Sequence, residues 1–572
     1  MFLTNAIFNF RHALRTQLKS GYDYGLNEYM ALQGMPISRA VYDKNCATQL
    51  TSDPPAYMCN WAFRLVSTER SSINLDFRRF HARFNTCFGG RPARCIGNQP
   101  CNGKSPESCE RFVGTRVEDQ SMHDKDCLEP LICKKLYWDE SSYRAVQTTR
   151  AVCIKTTSDR LLRYCMASER TLAISHVWAH GQGGRPEETS GMNICLHHRY
   201  ASIAQNAGCD SYWMDTSCIP EDDELRSQAI RGINGVFLNS KITLVCDKDL
   251  MELDFSEIAT TCREYGKPST GAILNSERLL STLLVCDWNV RAWTLLESMK
   301  GRSSIHILCQ DNVIVSLKEL IQIVCDHGAI DIAILYVTAQ HLLPARPADK
   351  AAGDRSRIKR GLINLEEAAS LLSHRHASRD GDDVIIWSLL FNEQAFKTAE
   401  TLWRADSSGH TDNINSGFLL SSAPRLKDTK GLSWAPSRPA IRLTPEEEAK
   451  GYRAHMAVAS YNTSLCHMTP EGLQGAWYIH IFNPNLAIKP GQLSDIAEVY
   501  LNGCHFGALL RPITMNTMQE TVPTQFQGNA SGPLLAVCGR VCAESPWRWK
   551  GVFEWKVDEH MPKFTSEMLT IA

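Results

Sequence analysis

The stretch that decides the fold opens TLAISHVWAHGQGGRPEE at residues 171–188 and continues GCDSYWMDTSCIPEDDELRSQAIRGINGVFLNSKITLVCDKDL at residues 208–250. It is completed by CDWNVRAWTLLESMKGR at residues 286–302. Three short apolar runs recur in it. Leu172 to Val177 carries Ser175 and His176 near its end, Ser211 to Met214 is closed by Asp215, and Ile242 to Cys246 is closed by Asp247. Between the second and third runs lies a helix signal. Pro220 suits a first helical turn, and Glu221, Asp222, Asp223 and Glu224 crowd the positive end of the helix dipole. Leu225, Ala229, Ile230, Ile233, Val236 and Phe237 then recur at spacings of three and four. Apolar strands alternating with a helix predict an α/β core, a parallel sheet covered by helices. Ligands of such sheets sit at the carboxyl ends of the strands. The polar residues Ser175, His176, Trp178, Asp215 and Cys218 cluster at those ends.

The third piece reads as a further helix around Glu297. Asp287 or Asn289 can cap it, and Gly301 can end it. Ala292, Leu295, Leu296 and Met299 supply an apolar stripe, while Trp293 and Glu297, four apart, share a face. An aromatic ring beside a carboxylate shielded from water raises the pKa of that carboxylate. Such a carboxylate can stabilise an oxocarbenium-like ribosyl transition state. Arg291 can pair with a pyrophosphate or with Glu297 itself. The plainer reading is an exposed helix glutamate paired with Lys300 or Arg302, and spacing alone favours it.

The blocks AISHVW, YWMDTSCI and RAWTLLE resemble the three ordered blocks of the fungal heterokaryon-incompatibility (HET) domain, roughly ALSYxWG, WIDxxCINQ and RxWTxQE. Three ordered blocks over about 125 residues are more specific than any single motif. His176 stands where the family has an aromatic residue, Ala179 where it has Gly, Pro220 where it has Asn, and Leu296 where it has Gln. The last removes a polar group beside Glu297. HET domains are in turn similar to TIR domains, so the resemblance implies a flavodoxin/TIR-like parallel sheet. Some TIR domains cleave NAD with a glutamate on a helix that begins with a Ser/Arg-x-Trp stretch. The resemblance therefore implies Glu297 as the catalytic carboxylate. Ser175, His176, Trp178, Asp215, Cys218, Arg291 and Trp293 would line a pocket for NAD. It implies a role in non-self recognition and regulated cell death, with activation by self-association. A second reading makes the core a non-catalytic assembly module for a signalling partner. A third makes Cys218 a nucleophile with His176 as its base, although a cysteine is more often a small buried hydrophobe.

Composition narrows the remaining classes. At 572 residues the chain has room for several domains. Hydrophobic content of 43% and charged content of 22% are ordinary for a globular protein. A formal net charge of -1 argues for no nucleic-acid partner and no anionic membrane surface. No run of 18 apolar residues predicts a transmembrane helix. The opening MFLTNAIFNFRHALRTQ is too interrupted for a signal peptide, so a cytoplasmic location with reduced thiols is expected.

The 22 cysteines are the unusual feature. Cys95, Cys101, Cys109, His123, Cys127 and Cys133 crowd a stretch rich in Gly, Pro, Asn and Ser that cannot build a core unaided. Thiolates and imidazole suit tetrahedral zinc, and His123-x3-Cys127 is an ordinary ligand pair, so a structural zinc is expected from four of these six. A disulfide framework and scattered free thiols are the alternatives. Cys195, His197 and His198 in CLHHRY also invite a metal, but adjacent histidines on a helix point to different faces. The loop AHGQGGRPEET after the first core strand has glycines and Arg185 that suit a phosphate, and reads equally as a flexible connection or a lid. FRRFHARF within residues 76–85 reads as an amphipathic helix rather than a phosphate contact.

The rest divides the chain. Residues 1–165 form a Cys-rich amino-terminal region, 166–345 the α/β domain, 346–440 a helical extension that includes Arg379, Asp382 and Asp383, and 441–572 a β-rich domain. AWYIHIFN at 476–483, and runs at 534–541 and 547–557, are rich in aromatic and β-branched residues and predict strands of that last unit.

Overall fold

The computed structural model describes two short strands before residue 101, then residues 120–125, 127, 132–155, 159–187, 191–255, 268–328, 332, 340–342, 361–363, 365–372, 375, 377, 379, 381–406, 413–420, 424–426, 429–439, 463–486, 491–513, 534–556 and 559–572. The FRRFHARF cluster lies outside the described residues, as do Cys101 and Cys109. Cys95 lies in the two-residue strand Arg94–Cys95, whose side chains are not among those described.

The main sheet has seven strands: β1 (Arg150–Cys153), β2 (Tyr164–Met166), β3 (Thr171–His176), β4 (Ser211–Met214), β5 (Ile242–Cys246), β6 (Ile305–Leu308) and β7 (Ile314–Ser316). Their spatial order is β7-β6-β5-β3-β4-β1-β2. The central four are parallel: β3 pairs with β4 on one side and with β5 on the other, and β5 pairs with β6. Among these four the chain order is thus second, first, third, fourth. Antiparallel strands flank them on both edges. β3 is buried at every residue, as a central strand covered on both faces requires. The strands β1 and β2 on one edge come from residues 150–166, almost wholly before the expected boundary at 166.

Two of the helices, the one carrying Leu225 to Phe237 and the one carrying Glu297, sit where the apolar periodicity placed them. α1 (Ile194–Asn206) follows β3, and α2 (Asp223–Asn239) follows β4. Asp222 caps α2 by accepting from Leu225 N–H at 2.9 Å, with Asp223 and Glu224 in the first turn. Pro220 therefore precedes the helix instead of opening it, because a separate turn, Asp215–Cys218, comes first. α3 (Thr270–Val285) follows β5. α4 (Ala292–Gly301) carries Glu297 and packs against β3, β5 and α2, and against the later helix α5 (Asp382–Phe391). Burial of Leu295, Leu296 and Met299 in α4 contributes roughly 1.5–3 kcal/mol each. Neither Asp287 nor Asn289 caps α4; its N-cap is Arg291, without a side-chain bond. Gly301 is the last helical residue, and its role is spatial. A Cβ there would overlap Thr243 Oγ1 on β5, so glycine lets the helix approach the sheet.

The carboxyl-terminal part is antiparallel. β8 (Asn413–Asn415), β9 (Leu465–Thr469), β10 (Gly472–Phe482), β11 (Phe506–Pro512), β12 (Leu534–Arg540) and β13 (Arg548–Glu554) follow one another in space, and β14 (Thr565–Ile571) pairs with β10. A bridge between Trp547 and Ile571 draws the two margins together and curls the sheet. β10, β12 and β13 fall where the aromatic and β-branched runs predicted strands. The sheet shares one apolar cluster with the α/β core, reaching from Leu136 to Ile571. No helix among the described residues is long and apolar enough to cross a membrane.

Candidate functional site

β3 places two consecutive residues on opposite faces at its carboxyl end. Ser175 points to α4 and donates its hydroxyl hydrogen to Glu297 Oε2. The Trp288 indole N–H in turn donates to Ser175 Oγ at 2.6 Å. Trp288, Ser175 and Glu297 are 0%, 1% and 5% exposed, so the glutamate is no surface residue, and the exposed reading is overturned. Lys300, its expected partner, donates to Gly361 O at 3.0 Å. Burial pushes the Glu297 carboxyl up to about 8; the nearby Asp215 charge adds to this, and the Ser175 bond and Arg291 oppose it. Arg291 is buried among Asp287, Asp215 and Glu297, and its burial lowers its pKa against the pull of those three acids.

His176 faces the other way. Its Nε2 lies 2.7 Å from Asp215 Oδ1, which also accepts from Thr216 N–H at 2.7 Å, while Trp178 Nε1 donates to Asp215 Oδ2 at 2.6 Å. Burial pushes Asp215 up, but attraction to His176 and these hydrogen bonds outweigh it, and the carboxyl sits below its usual value. His176 Nδ1 is buried with no hydrogen-bond partner among the described residues.

A third acidic group closes the crevice between β3 and β5. Asp247 accepts from the Trp288 backbone N–H at 3.0 Å. Burial raises it to about 6, against the attraction of His180. His180 Nδ1 accepts from Lys248 N–H at 3.0 Å, so its proton is on Nε2, facing Asp287 Oδ2 at 3.1 Å.

Of the residues singled out from sequence, Ser175 bonds Glu297, and His176 and Trp178 bond Asp215, whose charge acts on both Glu297 and Arg291. Trp293 does not shield Glu297: its indole N–H donates to Asp382 Oδ2 at 2.7 Å. Trp288 takes that place. It lies in the turn before the helix, where helical spacing could not point to it; the only signal was a second tryptophan in CDWNVRAW. Arg379 stacks over the Trp178 ring at 5.7 Å, so Arg379 and Asp382 brace both tryptophans. Cys218 is 1% exposed in the apolar core, and burial pushes its thiol up to about 12. His176 is engaged with Asp215, so nothing here activates the Cys218 thiol.

The loop expected as a flexible connection or lid is neither open nor free. Residues 181–186 are all buried, and Arg185 pairs with Glu187 and Glu221, each at 3.3 Å.

A separate cluster can hold a metal ion. His123, Cys127, Cys133 and Cys195 bring one imidazole and three thiol groups within 4.8 Å of one another. His123 Nδ1 lies 3.7 Å from Cys127 Sγ and 3.4 Å from Cys195 Sγ, and Cys133 Sγ lies 3.6 Å from Cys195 Sγ. Tetrahedral zinc, with bonds of about 2.3 Å to sulfur and about 2.0 Å to nitrogen, sets ligand–ligand edges of about 3.8 and 3.6 Å, so these residues fit. His123, Cys127 and Cys133 belong to the expected set; Cys195 does not. It was set aside with its histidine neighbours, and those do point elsewhere. His197 Nδ1 lies 2.9 Å from Tyr212 Oη. No family model, curated protein or solved structure matches this chain.

Proposed function

We propose that this is a HET-type protein of non-self recognition and regulated cell death that hydrolyses NAD at the nicotinamide–ribose bond, with Glu297 as the essential carboxylate. The single observation that carries this reading is the environment of Glu297, a buried carboxyl raised to about 8 at the carboxyl end of β3. The order second, first, third, fourth of the parallel strands fits a flavodoxin/TIR-like sheet. The crevice between the first and third of these strands is where such sheets bind ligands, and Ser175, Trp288 and Asp247 lie at it.

The chemistry then follows. The C1′–N1 bond breaks, and its electron pair neutralises the pyridinium nitrogen of nicotinamide. Water attacks C1′, and its proton passes to the Glu297 carboxylate. Arg291 offers charge to the pyrophosphate. Binding of the cationic nicotinamide riboside portion favours ionisation of Glu297, which converts it to the base form. A zinc ion in the His/Cys cluster belongs to the same reading as a structural ion.

The alternative reading is an assembly module without catalysis. The depth of the carboxylate favours it: with Ser175 at 1% and Glu297 at 5% exposure, the crevice must open before substrate can enter. Purified protein incubated with NAD, with and without a crowding agent, separates the two. Nicotinamide release by wild type and not by Glu297→Gln supports hydrolysis. No release in any assembled state favours the module.

A further inference from the structure

The four metal-competent residues come from three segments that converge at the cluster. His123 and Cys127 lie on the segment 120–127, Cys133 precedes the strand Lys135–Trp138, and Cys195 is the second residue of α1. The segment 120–127 lies on the loop that follows β3. Met122 N–H donates to Gly181 O at 3.0 Å. The Gln120 side chain donates to Gly191 O at 2.8 Å and accepts from Asn193 N–H at 2.6 Å. Contact is close: a Cβ at Gly181 would overlap Ser121 Oγ, and one at Gly184 would stand 2.8 Å from Gln120 Cδ. Gly181 has φ 71°, so a side chain there is strained as well.

The loop beneath spans the crevice. Trp178 reaches Asp215 at the end of β4, and His180 reaches Asp287 and the Lys248 N–H just past β5. The loop therefore runs across the carboxyl ends of β4, β3 and β5, and the segment 120–127 lies against it at Gly181 and Gly184. The segment has no helix or strand of its own between residues 120 and 125; besides these hydrogen bonds, a Lys125–Asp311 ion pair and packing of Met122 and Cys127 against the core hold it.

We propose that a zinc ion bound by His123 Nδ1 and the thiolates of Cys127, Cys133 and Cys195 clamps the segment 120–127 onto the loop 177–187 and so holds the carboxylate crevice closed. The metal ties the segment to α1 and to the strand Lys135–Trp138, both anchored in the core through Leu136 and Leu196. The clamp builds on the zinc reading above and does not depend on NAD cleavage.

Elemental analysis of the full chain purified with zinc supplied, with hydrogen exchange read by mass spectrometry, tests this. One zinc per chain is expected in wild type and in Cys542→Ser, an exposed cysteine outside the cluster, and loss of it in Cys195→Ser. Stripping wild type with a chelator should speed exchange of peptides covering 120–127 and 177–187 by about tenfold or more, while β12 stays protected as the internal reference. If Cys195→Ser does not fold, the chelated wild type provides the same comparison. Absence of stoichiometric zinc, or a Cys133–Cys195 disulfide in its place, overturns the metal site. Zinc that is bound, yet whose removal leaves exchange in 177–187 unchanged, overturns the clamp alone.

Discussion

Ser175 and His176 are neighbours in sequence, yet each faces a carboxylate of opposite character. Asp215 receives His176, the Trp178 indole and a backbone N–H, and sits below its usual value. Glu297 receives one hydroxyl, and burial carries it to about 8. Glu297 is buried while Asp215 keeps some exposure, and the attraction of His176 with the donors aimed at the ionised form holds Asp215 down. Two acids separated in this way can take separate roles: Asp215 is fixed as an anion, and Glu297 is a proton carrier near neutral pH.

The sharpest way to break this contrast is to neutralise each acid in turn. Glu297→Gln should lower NAD hydrolysis by about 10³-fold, the scale of a lost acid–base group, measured as nicotinamide release. In wild type the rate should rise with pH up to about 8, because the base form is the ionised one. A rate that rises as pH falls would instead make Glu297 an acid. Asp215→Asn should cost about 3 kcal/mol in denaturant unfolding, since it leaves His176 and Trp178 facing an amide.

Stability against pH sharpens the contrast further. Glu297 has a folded pKa above its unfolded value, so its contribution is complete below the unfolded value and is lost as pH rises through about 8. Between about pH 5 and about pH 7, Glu297→Gln should remove a downward slope of about 1.4 kcal/mol per pH unit. Asp215 has the opposite sign: its contribution is present above the unfolded value and is lost as pH falls through the lower folded value. Glu297→Gln should therefore be more stable than wild type at pH 8, while Asp215→Asn should be less stable. The smallest effect is expected from Ser175→Ala. It removes the only described hydrogen bond to Glu297 and leaves the Trp288 N–H without its acceptor, at about 1–2 kcal/mol. It should also shift the activity profile to higher pH; an unshifted profile would show that Ser175 does not tune Glu297.

Part of this was legible in the chain because it is local. The apolar runs of β3, β4 and β5 and the periodicity of α2 and α4 are visible in sequence, since burial on both faces leaves continuous apolar strands. The polar residues at strand ends were visible for the same reason. Trp288 was not, because a turn residue carries no periodicity. Nor was the exchange of Trp293 for Trp288 beside the carboxylate, because Asp382 draws Trp293 away from far along the chain. The loop 177–187 looked like a flexible connection because glycines dominate it; those glycines instead permit close contact with Gln120 and Ser121.

The amino-acid sequence by itself determined the parallel core, the place of Glu297 on a helix beside it, and the His123–Cys127 pair, all set by spacings of a few residues. The tertiary structure alone decided which acid is charged, that Glu297 is buried, and that Cys195 completes the metal-competent cluster. Those outcomes depend on what solvent is excluded and on which distant groups approach within hydrogen-bond reach. Both are properties of packed elements, and no local spacing encodes them.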